Sequence, residues 1–485
     1  MSTPGSDAKL PPFQLLEEPV LSFSPDRPSE ADIHPLRGLA KFGPYSERSF
    51  GTYTPVLRVA LVGPRSGRDE VISLMRMLQG SQRPVDRADY VPNYPGFEKL
   101  FGVPLKAAPA TTRVEWPDAL EDLPYAGTGE QRLAAAFQAA LVALDGVRSD
   151  FDVVVVHLPE RWSHASRTES FDAHDTLKAL GAQLGVPTQV INDRAFEFAA
   201  RFSASIAWRL SIALYVKAGG TPWRLSSLPG VPDDTAYIGL AYALRPHRDG
   251  MHYVTCCSQV FDMDGGGMQF VAFEARDPIP DVSTARRNPF LSLSDMRAVL
   301  ARSLQIYQAR NGGSLPRRLV VHKTTAFQDQ EIQGAREALS AISEVECLEI
   351  GSNSAWRGVW MTPNPSGPKR TKADGYPVPR GIVQVRSGAS CFVWVAGNAP
   401  GVSLKGAYYQ GGKSIPRPLA ITRHAGSGPL SLVALEALAL TKMDWNNDAL
   451  YDPVPVTIRY SQRLARTIAN VPSLPGKSYP YRHFM

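Results

Sequence analysis

The first half of the chain alternates between short hydrophobic runs and longer segments with helical spacing. The hydrophobic runs are typical of strands covered on both faces, and they lie at residues 54–64, 151–159 and 187–191. Helix-forming segments separate them, at residues 69–79, 130–147 and 171–184 and in a long helix that ends at Lys217. The alternation predicts a parallel, doubly wound α/β domain that binds its ligand at the carboxyl ends of the strands.

The pattern changes after a turn-rich segment at residues 226–234. Three strand-like runs follow in succession, at residues 235–245, 251–262 and 267–276, and short turns between them predict an antiparallel meander. A helix, a strand and a second helix are predicted next, at residues 292–310, 317–324 and 328–342. Three antiparallel strands followed by alternating helices and strands are the order of an RNase H-like fold.

The segment 362–380 contains five prolines and a cluster of basic residues. We predict an exposed loop, because proline cannot donate a backbone hydrogen bond to a sheet. The basic residues have two interpretations: an arm that contacts phosphates, or a solvated surface connection, which is the more frequent role of such loops.

Composition narrows the classes of protein that this chain can represent. Its 485 residues, with 44% hydrophobic and 20% charged, predict two or three folded domains with substantial cores. Four cysteines without a CxxC pair disfavour a disulfide framework and structural zinc. A leader sequence and an apolar run of about 20 residues are both missing, which predicts a cytoplasmic protein that does not insert into membranes. The net charge of +6 permits an anionic partner.

Known catalytic and cofactor motifs do not match. The parallel sheet of the first half suggests a nucleotide cofactor, but the first strand is followed by VGPRSGRDE, which fits neither GxGxxG nor a P-loop. A GxSxG elbow and an HExxH helix are also missing. A nucleotide- or NAD-using enzyme is therefore a rival hypothesis with little support from motifs.

Four polar residues in the first half form a more informative combination. His174 and Lys178 are four residues apart on a predicted helix and share one face. Gln189 lies at the end of a short predicted strand, and Lys217 in the last helical turn before Gly219–Gly220. A flat ring, two cations and an amide suit the end of a nucleic-acid strand with a terminal phosphate. Each residue taken singly also fits an ordinary surface or helix-terminus role.

The chain resembles short prokaryotic Argonautes along nearly its whole length. HDTLK, PTQVIN and IALYVKAGGTPWRL resemble the MID domain, and GLAKFGPYSE and YPGFEKLFGVPL resemble the segments that precede it. LVVHKTTAFQDQE, PRPLAITRHAG, LALTKMDWNN and PVTIRYSQRLA resemble the PIWI domain. The resemblance implies a Rossmann-like MID domain with its entry segment at residues 1–230, an RNase H-like PIWI domain at residues 231–485, and no N or PAZ domain.

The resemblance also implies roles for the polar residues of the first half. His174 would contact or stack on the first guide nucleotide, while Lys178, Gln189 and Lys217 would hold its 5′ phosphate. Many relatives have a further lysine where this chain has Ala213. The resemblance implies Mg²⁺ as a replacement for that charge, held by the terminal carboxylate of Met485 and by Gln189, because oxygen ligands suit this ion. A frayed terminus is the alternative for Met485.

Slicing Argonautes cut with a tetrad of ligands that holds two metal ions. At three of the corresponding positions this chain has Ala241, Thr324 and Gln462, none of which is anionic. The resemblance therefore implies a PIWI domain that does not cut its target. Three other acidic residues could in principle form a different metal site, but surface or turn roles explain them more simply. They are Asp249, Glu274 and Asp329.

The implied function is that of the guide-binding subunit of a prokaryotic defence complex. Such subunits bind a 5′-phosphorylated small guide RNA and pair it with invading plasmid or phage single-stranded DNA. Pairing activates an APAZ-containing partner that carries a TIR or sirtuin-like NADase or a DREN nuclease, and the infected cell dies or stops growing. A guide-directed nuclease that cleaves its own target is the principal rival hypothesis.

Overall fold

The computed structural model describes most of the chain. The described residues are 12–45, 56–85, 88–169, 171–247, 250–262, 267–274, 279–280, 289–364, 367–403, 415–446, 449–471 and 478–485. No helix among them is long and apolar enough to cross a membrane.

The first half of the chain contributes small strands, one parallel sheet and the helices around it. The strands are β1 (Gln14–Leu15), β2 (Leu21–Ser22), β3 (Ala31–Asp32), β4 (Leu57–Pro64), β5 (Leu105–Ala107), β6 (Arg113–Trp116), β7 (Val153–Leu158), β8 (Thr188–Asn192) and β9 (Arg224–Leu225). The helices are α1 (Pro35–Phe42), α2 (Arg68–Gln79), α3 (Phe97–Phe101), α4 (Gly129–Asp145), α5 (Ser163–Ser166), α6 (Ala173–Leu184), α7 (Asp193–Arg201) and α8 (Ser203–Lys217).

The second half contributes longer strands and four helices among its described residues. The strands are β10 (Thr235–His247), β11 (Gly250–Asp262), β12 (Gly267–Glu274), β13 (Ile279–Pro280), β14 (Pro289–Phe290), β15 (Arg318–Lys323), β16 (Glu344–Gly351), β17 (Val359–Asn364), β18 (Gly367–Pro377), β19 (Ile382–Val385), β20 (Ser390–Val393), β21 (Leu419–Ala425) and β22 (Ser478–Pro480). The helices are α9 (Leu293–Arg310), α10 (Asp329–Ala338), α11 (Leu430–Leu440) and α12 (Val456–Asn470).

The parallel sheet of the first half confirms the predicted α/β layer. Strand β4 pairs with β5 and β6 on one side and with β7 on the other, and β7 pairs with β8, all in parallel. All six residues of β7 are buried, as expected of a continuously hydrophobic strand that helices cover on both faces. The long helix predicted to end at Lys217 is interrupted at Phe202, whose backbone leaves the helical region between α7 and α8.

The large sheet of the second half has the strand order predicted for an RNase H-like fold. Strands β10, β11 and β12 form the antiparallel meander, and β15 and β16 continue the sheet parallel to β10. Alternate residues of β10 enter different cores: Ile238 packs with α9 and α10, and Tyr237 with α11 and α12. The sheet is thus covered on both faces, and the order of its elements confirms the predicted mixed α/β class.

Two contacts of α12 position it next to both halves of the chain. On β10, a Cβ at Gly239 would lie 2.2 Å from the carbonyl oxygen of Thr457, so only glycine lets α12 approach this closely. At the other end of α12, Thr467 Oγ1 and Asn470 Nδ2 donate to the carboxylate of Asp175 on α6, at 3.1 and 2.6 Å. Helix α12 therefore connects the large sheet to the helix that carries His174 and Lys178.

The proline-rich segment 362–380 is not the exposed loop that its composition suggests. It contributes to an antiparallel hairpin, in which β17 pairs with β18 and Thr362 lies opposite Lys372. Strands with few neighbours tolerate proline, because a missing donor on a free edge breaks no ladder. The hairpin forms its own two-stranded sheet.

Candidate functional site

Helix α6 brings the first two of the predicted site residues to one place. The Asp172 side chain accepts a hydrogen bond from the amide of Asp175 and so fixes the start of the helix, and Gly185 ends it in a left-handed conformation. Lys178 lies one helical turn after His174. The His174 side chain is half exposed, while Lys178 is buried. The helix therefore offers a ring at the surface and an ammonium group beneath it.

The Lys178 ammonium is buried against the carboxyl-terminal residues. Its Nζ donates a hydrogen bond of 3.0 Å to the carbonyl oxygen of Phe484. Burial lowers the pKa of Lys178 to about 7, and the positive charge of Arg463 contributes to the shift. A lysine in this state gains from any anion that reaches it, since the anion would favour its protonated form.

Lys217 and Gln189 complete a group of polar atoms below α6. The Lys217 Nζ donates to the Thr188 carbonyl oxygen at 2.8 Å and to Gln189 Oε1 at 2.7 Å. Burial holds the pKa of Lys217 well below its usual value, and the charges of Lys178 and Arg463 lower it further. We call Lys178, Gln189 and Lys217 together the lysine pocket.

The lysine pocket contains two buried amino groups that have no paired carboxylate in the described part of the chain. Within the described residues, no carboxylate forms an ion pair with Lys178 or Lys217, and both ammonium groups donate only to neutral oxygens. Burial without a paired carboxylate disfavours the protonated form of each amino group, and an anion that reached the pocket would favour that form again. Two such groups side by side favour the binding of an anion.

Arg463 is a member of the site that the sequence did not reveal. It lies on α12, and its charge lowers the pKa of both pocket lysines. Its guanidinium is oriented by Asp444, at 3.3 Å, and lies 5.3 Å from the ring centre of Tyr460. The only sequence signal for this role is a basic residue on the predicted PIWI segment, and nothing there indicates that it approaches Lys178.

An open cleft leads from the lysine pocket to the surface. It has a volume of about 370 Å³ and lies between β8, α7 and α8. Gln189 and Ala213 lie on its wall, and Arg194 and Arg209 line it farther out. The position is the carboxyl end of β8, where the alternation of strands and helices predicted a binding site. Ala213 adds no charge to it.

Acidic groups near His174 have structural partners. Ligand atoms of Asp172, His174 and Asp175 lie within 4.8 Å of one another, which is the spacing of a metal site. Asp172 caps α6, however, and Asp175 accepts hydrogen bonds from α12, so both carboxylates have structural roles. His174 remains available at the surface beside the lysine pocket.

The remaining residues singled out in the sequence lie in separate segments of the second half of the chain. Ala241 is buried on β10, while Thr324 and Gln462 are exposed, Thr324 after β15 and Gln462 on α12. Asp329 is exposed at the start of α10. Glu274 ends β12, and Asp249 lies outside the described residues. Met485 is buried, next to the residue whose carbonyl accepts from Lys178.

A buried ion pair joins the carboxyl end of β15 to α10. Lys323 and Glu331 form an ion pair of 2.6 Å, and both side chains are fully buried. The Lys323 ammonium also lies 4.6 Å from the ring centre of Phe327. Tyr242 donates to the other oxygen of the same carboxylate at 3.1 Å. This ion pair is a structural feature that the sequence did not indicate.

Comparisons with known proteins support the Argonaute family. No family model matches the chain. A curated relative, Protein argonaute of Cereibacter sphaeroides (strain ATCC 17025 / ATH 2.4.3), is 24% identical over 463 residues, which cover 91% of this chain and 54% of the relative. The chain thus spans about half the length of the curated relative it matches.

Solved structures show the same fold. Clostridium butyricum Argonaute bound to a guide DNA and a 19-mer target DNA matches with a TM-score of 0.65 at 15% identity, over 98% of this chain and 55% of that one. Drosophila Piwi matches with a TM-score of 0.60 at 15% identity, over 97% of this chain and 56% of that one. The similarity in fold covers nearly the whole chain and so extends over both sheets.

Proposed function

We propose that the chain binds the 5′-phosphorylated end of a small guide RNA in the lysine pocket. The observation that carries this proposal is the burial of Lys178 and Lys217 without an acidic partner among the described residues. A terminal phosphate offers up to two negative charges and three acceptor oxygens, whereas an internal phosphodiester offers one charge. The pocket is therefore suited to the end of a strand more than to its middle.

The residues of the pocket have separable roles in this proposal. Lys178 and Lys217 exchange their neutral oxygen partners for phosphate oxygens and become fully protonated as they do so. Gln189 shares its amide with the same phosphate, and Arg463 adds a cation from α12. The half-exposed ring of His174 stacks on the first base or contacts its sugar.

Mg²⁺ at the guide phosphate is part of the proposal. Its proposed ligands in the protein, the Met485 carboxylate and Gln189 Oε1, are oxygens, and this ion is commonly held by one or two carboxylates together with substrate phosphates. The Phe484 carbonyl contact of Lys178 keeps the last residues beside the pocket, which supports this choice of ligands. Bound there, the ion would supply the positive charge that Ala213 does not.

We further propose that the chain pairs its guide with single-stranded DNA and does not cut it. Ala241, Thr324 and Gln462 offer no carboxylate at three positions of the tetrad, and two hard cations need several anionic ligands. Sequence recognition then resides in base pairing, while the protein holds the backbone through charged groups.

The proposed consequence of target pairing is the activation of a partner. We propose an APAZ-containing effector with a TIR or sirtuin-like NADase or a DREN nuclease, whose activity against the host causes abortive infection. Such coupling requires that the guide–target duplex favour one conformation of the complex over another, since a ligand with equal affinity for both shifts no population. Curated similarity to an Argonaute supports the guide-binding part of the proposal.

The experiment that tests the pocket compares two guides that differ only at the 5′ end. Lys178→Ala with Lys217→Ala should weaken the binding of a 5′-phosphorylated guide by about 100-fold or more, because each charge-assisted hydrogen bond is worth about 1.5–3 kcal/mol. Binding of the matching 5′-hydroxyl guide should change little. Arg297→Ala, which removes an exposed arginine on α9, is the matched control. Equal losses for both guides would refute the assignment of the pocket.

A further inference from the structure

An exposed aromatic residue lies on the large-sheet side of the molecule, far along the chain from the lysine pocket. Trp356 precedes β17 and keeps 53% of its surface exposed. The guanidinium of Arg386 lies 5.0 Å from the Trp356 ring centre and 5.4 Å from that of Phe392. The rings of Trp356 and Phe392 are 6.0 Å apart. We call these three residues the Trp356 platform.

The loop that presents Trp356 is held in shape by hydrogen bonds. The guanidinium of Arg357 donates to the carbonyl oxygens of Ser354, Ala355 and Trp356, at 3.2, 3.2 and 2.8 Å. The Trp356 amide donates to Ser354 Oγ at 3.2 Å. A loop fixed in this way loses little further entropy when a ligand stacks on its ring.

The surroundings of the platform are strongly basic. Residues 351–386 contain six lysines and arginines but only one acidic residue, in a chain whose net charge is +6. Arg357, Lys372 and Arg386 are exposed, while Arg380 is buried in an ion pair with Glu18. The basic segment 362–380, for which the sequence left a phosphate-contacting role open, forms the hairpin β17–β18 directly after Trp356.

We propose that the Trp356 platform and the β17–β18 hairpin bind single-stranded nucleic acid, with a base stacked on Trp356 and phosphates paired with exposed arginine and lysine. An exposed aromatic ring beside a basic surface is the combination by which proteins bind single strands without reading their sequence. This contact is separate from the lysine pocket, because it requires no strand end. The platform would bind a part of the guide or target strand that lies away from the 5′ end held in the lysine pocket.

The same face also exposes apolar side chains, which makes a protein partner the competing occupant. Val359, Met361 and Val385 are each about half exposed. The excess of positive charge in residues 351–386 favours the nucleic acid. The experiment therefore has to distinguish binding of nucleic acid from binding of a protein.

The test uses the full chain and a fluorescent oligothymidylate of about 20 nucleotides that ends in a 5′-hydroxyl. Trp356→Ala should weaken binding roughly 5- to 100-fold, while Trp356→Phe, which retains a stacking ring, should keep most of the affinity. Arg386→Ala should also weaken binding and lower the slope of log affinity against log salt by about 1. Arg297→Ala should bind as the unaltered protein does.

Cross-linking locates the contact independently of affinity. An oligonucleotide of the same length that carries 5-iodouracil should cross-link to the peptide that contains Trp356. Unchanged oligonucleotide binding by the Trp356→Ala and Arg386→Ala variants, or cross-links confined to other peptides, would overturn the proposal. So would variants that keep the oligonucleotide but lose binding to the proposed effector, because that result assigns the face to a protein. Unaltered thermal unfolding of each variant shows that the fold is retained.

Discussion

Two of the regions that bury lysine side chains in the described part of this molecule differ in what faces the amino group. Lys323 is fully buried but meets the carboxylate of Glu331 at 2.6 Å, and an aromatic ring lies against it. Lys178 and Lys217 are buried too, yet their partners are carbonyl and amide oxygens. A buried lysine with a carboxylate has its charge balanced by the fold itself. A buried lysine without a carboxylate needs a ligand to balance its charge. This difference distinguishes a lysine with a structural role from one that binds a ligand.

The largest effect should come from breaking the balanced pair. Lys323→Ala leaves Glu331 buried and uncompensated, so the free energy of unfolding should fall by about 3–5 kcal/mol. Urea unfolding followed by circular dichroism measures the change. Arg297→Ala, in an exposed pair with Glu337, should cost less than about 1 kcal/mol. A small loss of stability for Lys323→Ala would contradict a structural role for the Lys323–Glu331 pair, and with it the difference from the lysine pocket.

Substitution of the unbalanced lysines should have the opposite sign. Lys178→Met with Lys217→Met removes two buried amino groups whose protonation burial disfavours, and it retains much of their volume, so the empty protein should be unchanged in stability or more stable by about 1–4 kcal/mol. The same unfolding measurement applies, without guide. A loss of stability as large as that of Lys323→Ala would mean that these ammonium groups are structural.

The dependence of guide binding on pH sharpens the comparison further. The pKa of Lys178 is lowered to about 7 in the empty pocket, so above pH 7 the lysine is largely neutral and has to take up a proton when phosphate binds. Affinity for a 5′-phosphorylated guide should then fall as pH rises above 7, by up to about tenfold per pH unit for each proton taken up.

A calorimetric titration over several pH values measures this dependence. The 5′-hydroxyl guide serves as the control and should show little change over the same range. Below about pH 6 the phosphate itself gains a proton, so the affinity should pass through a maximum between these limits. An affinity for the phosphorylated guide that stays constant from pH 7 to 9 would contradict the role of Lys178.

Much of the fold follows from local patterns in the sequence. The hydrophobic run of β7, the meander of β10 to β12 and the helix α6 all lie where periodicity places them, because each buries its own apolar residues within a short segment. The hairpin at β17–β18 does not, since proline content favours a loop and only pairing with a neighbouring segment overrides it. The kink at Phe202 likewise has no evident signal in the sequence.

The candidate site was predictable only in part. Lys178, Gln189 and Lys217 belong to one α/β unit and share a sheet edge, so a sequence pattern can bring them together. Arg463 and the carbonyl of Phe484 come from segments far along the chain, and their approach depends on how α12 packs on β10 and α6. The balanced pair of Lys323 and Glu331 also required tertiary structure, because burial of both partners cannot be read from spacing.

The bonds from Asp175 to Thr467 and Asn470 have a consequence for how the molecule is held together. They join a helix of the first sheet to a helix of the second at the place where the anion would bind. A phosphate held there by Lys178 on α6 and Arg463 on α12 would link the two helices. Its binding free energy would oppose separation of the first half of the chain from the second. An occupied molecule would then unfold as one cooperative unit, while an empty one is free to open first between these two helices.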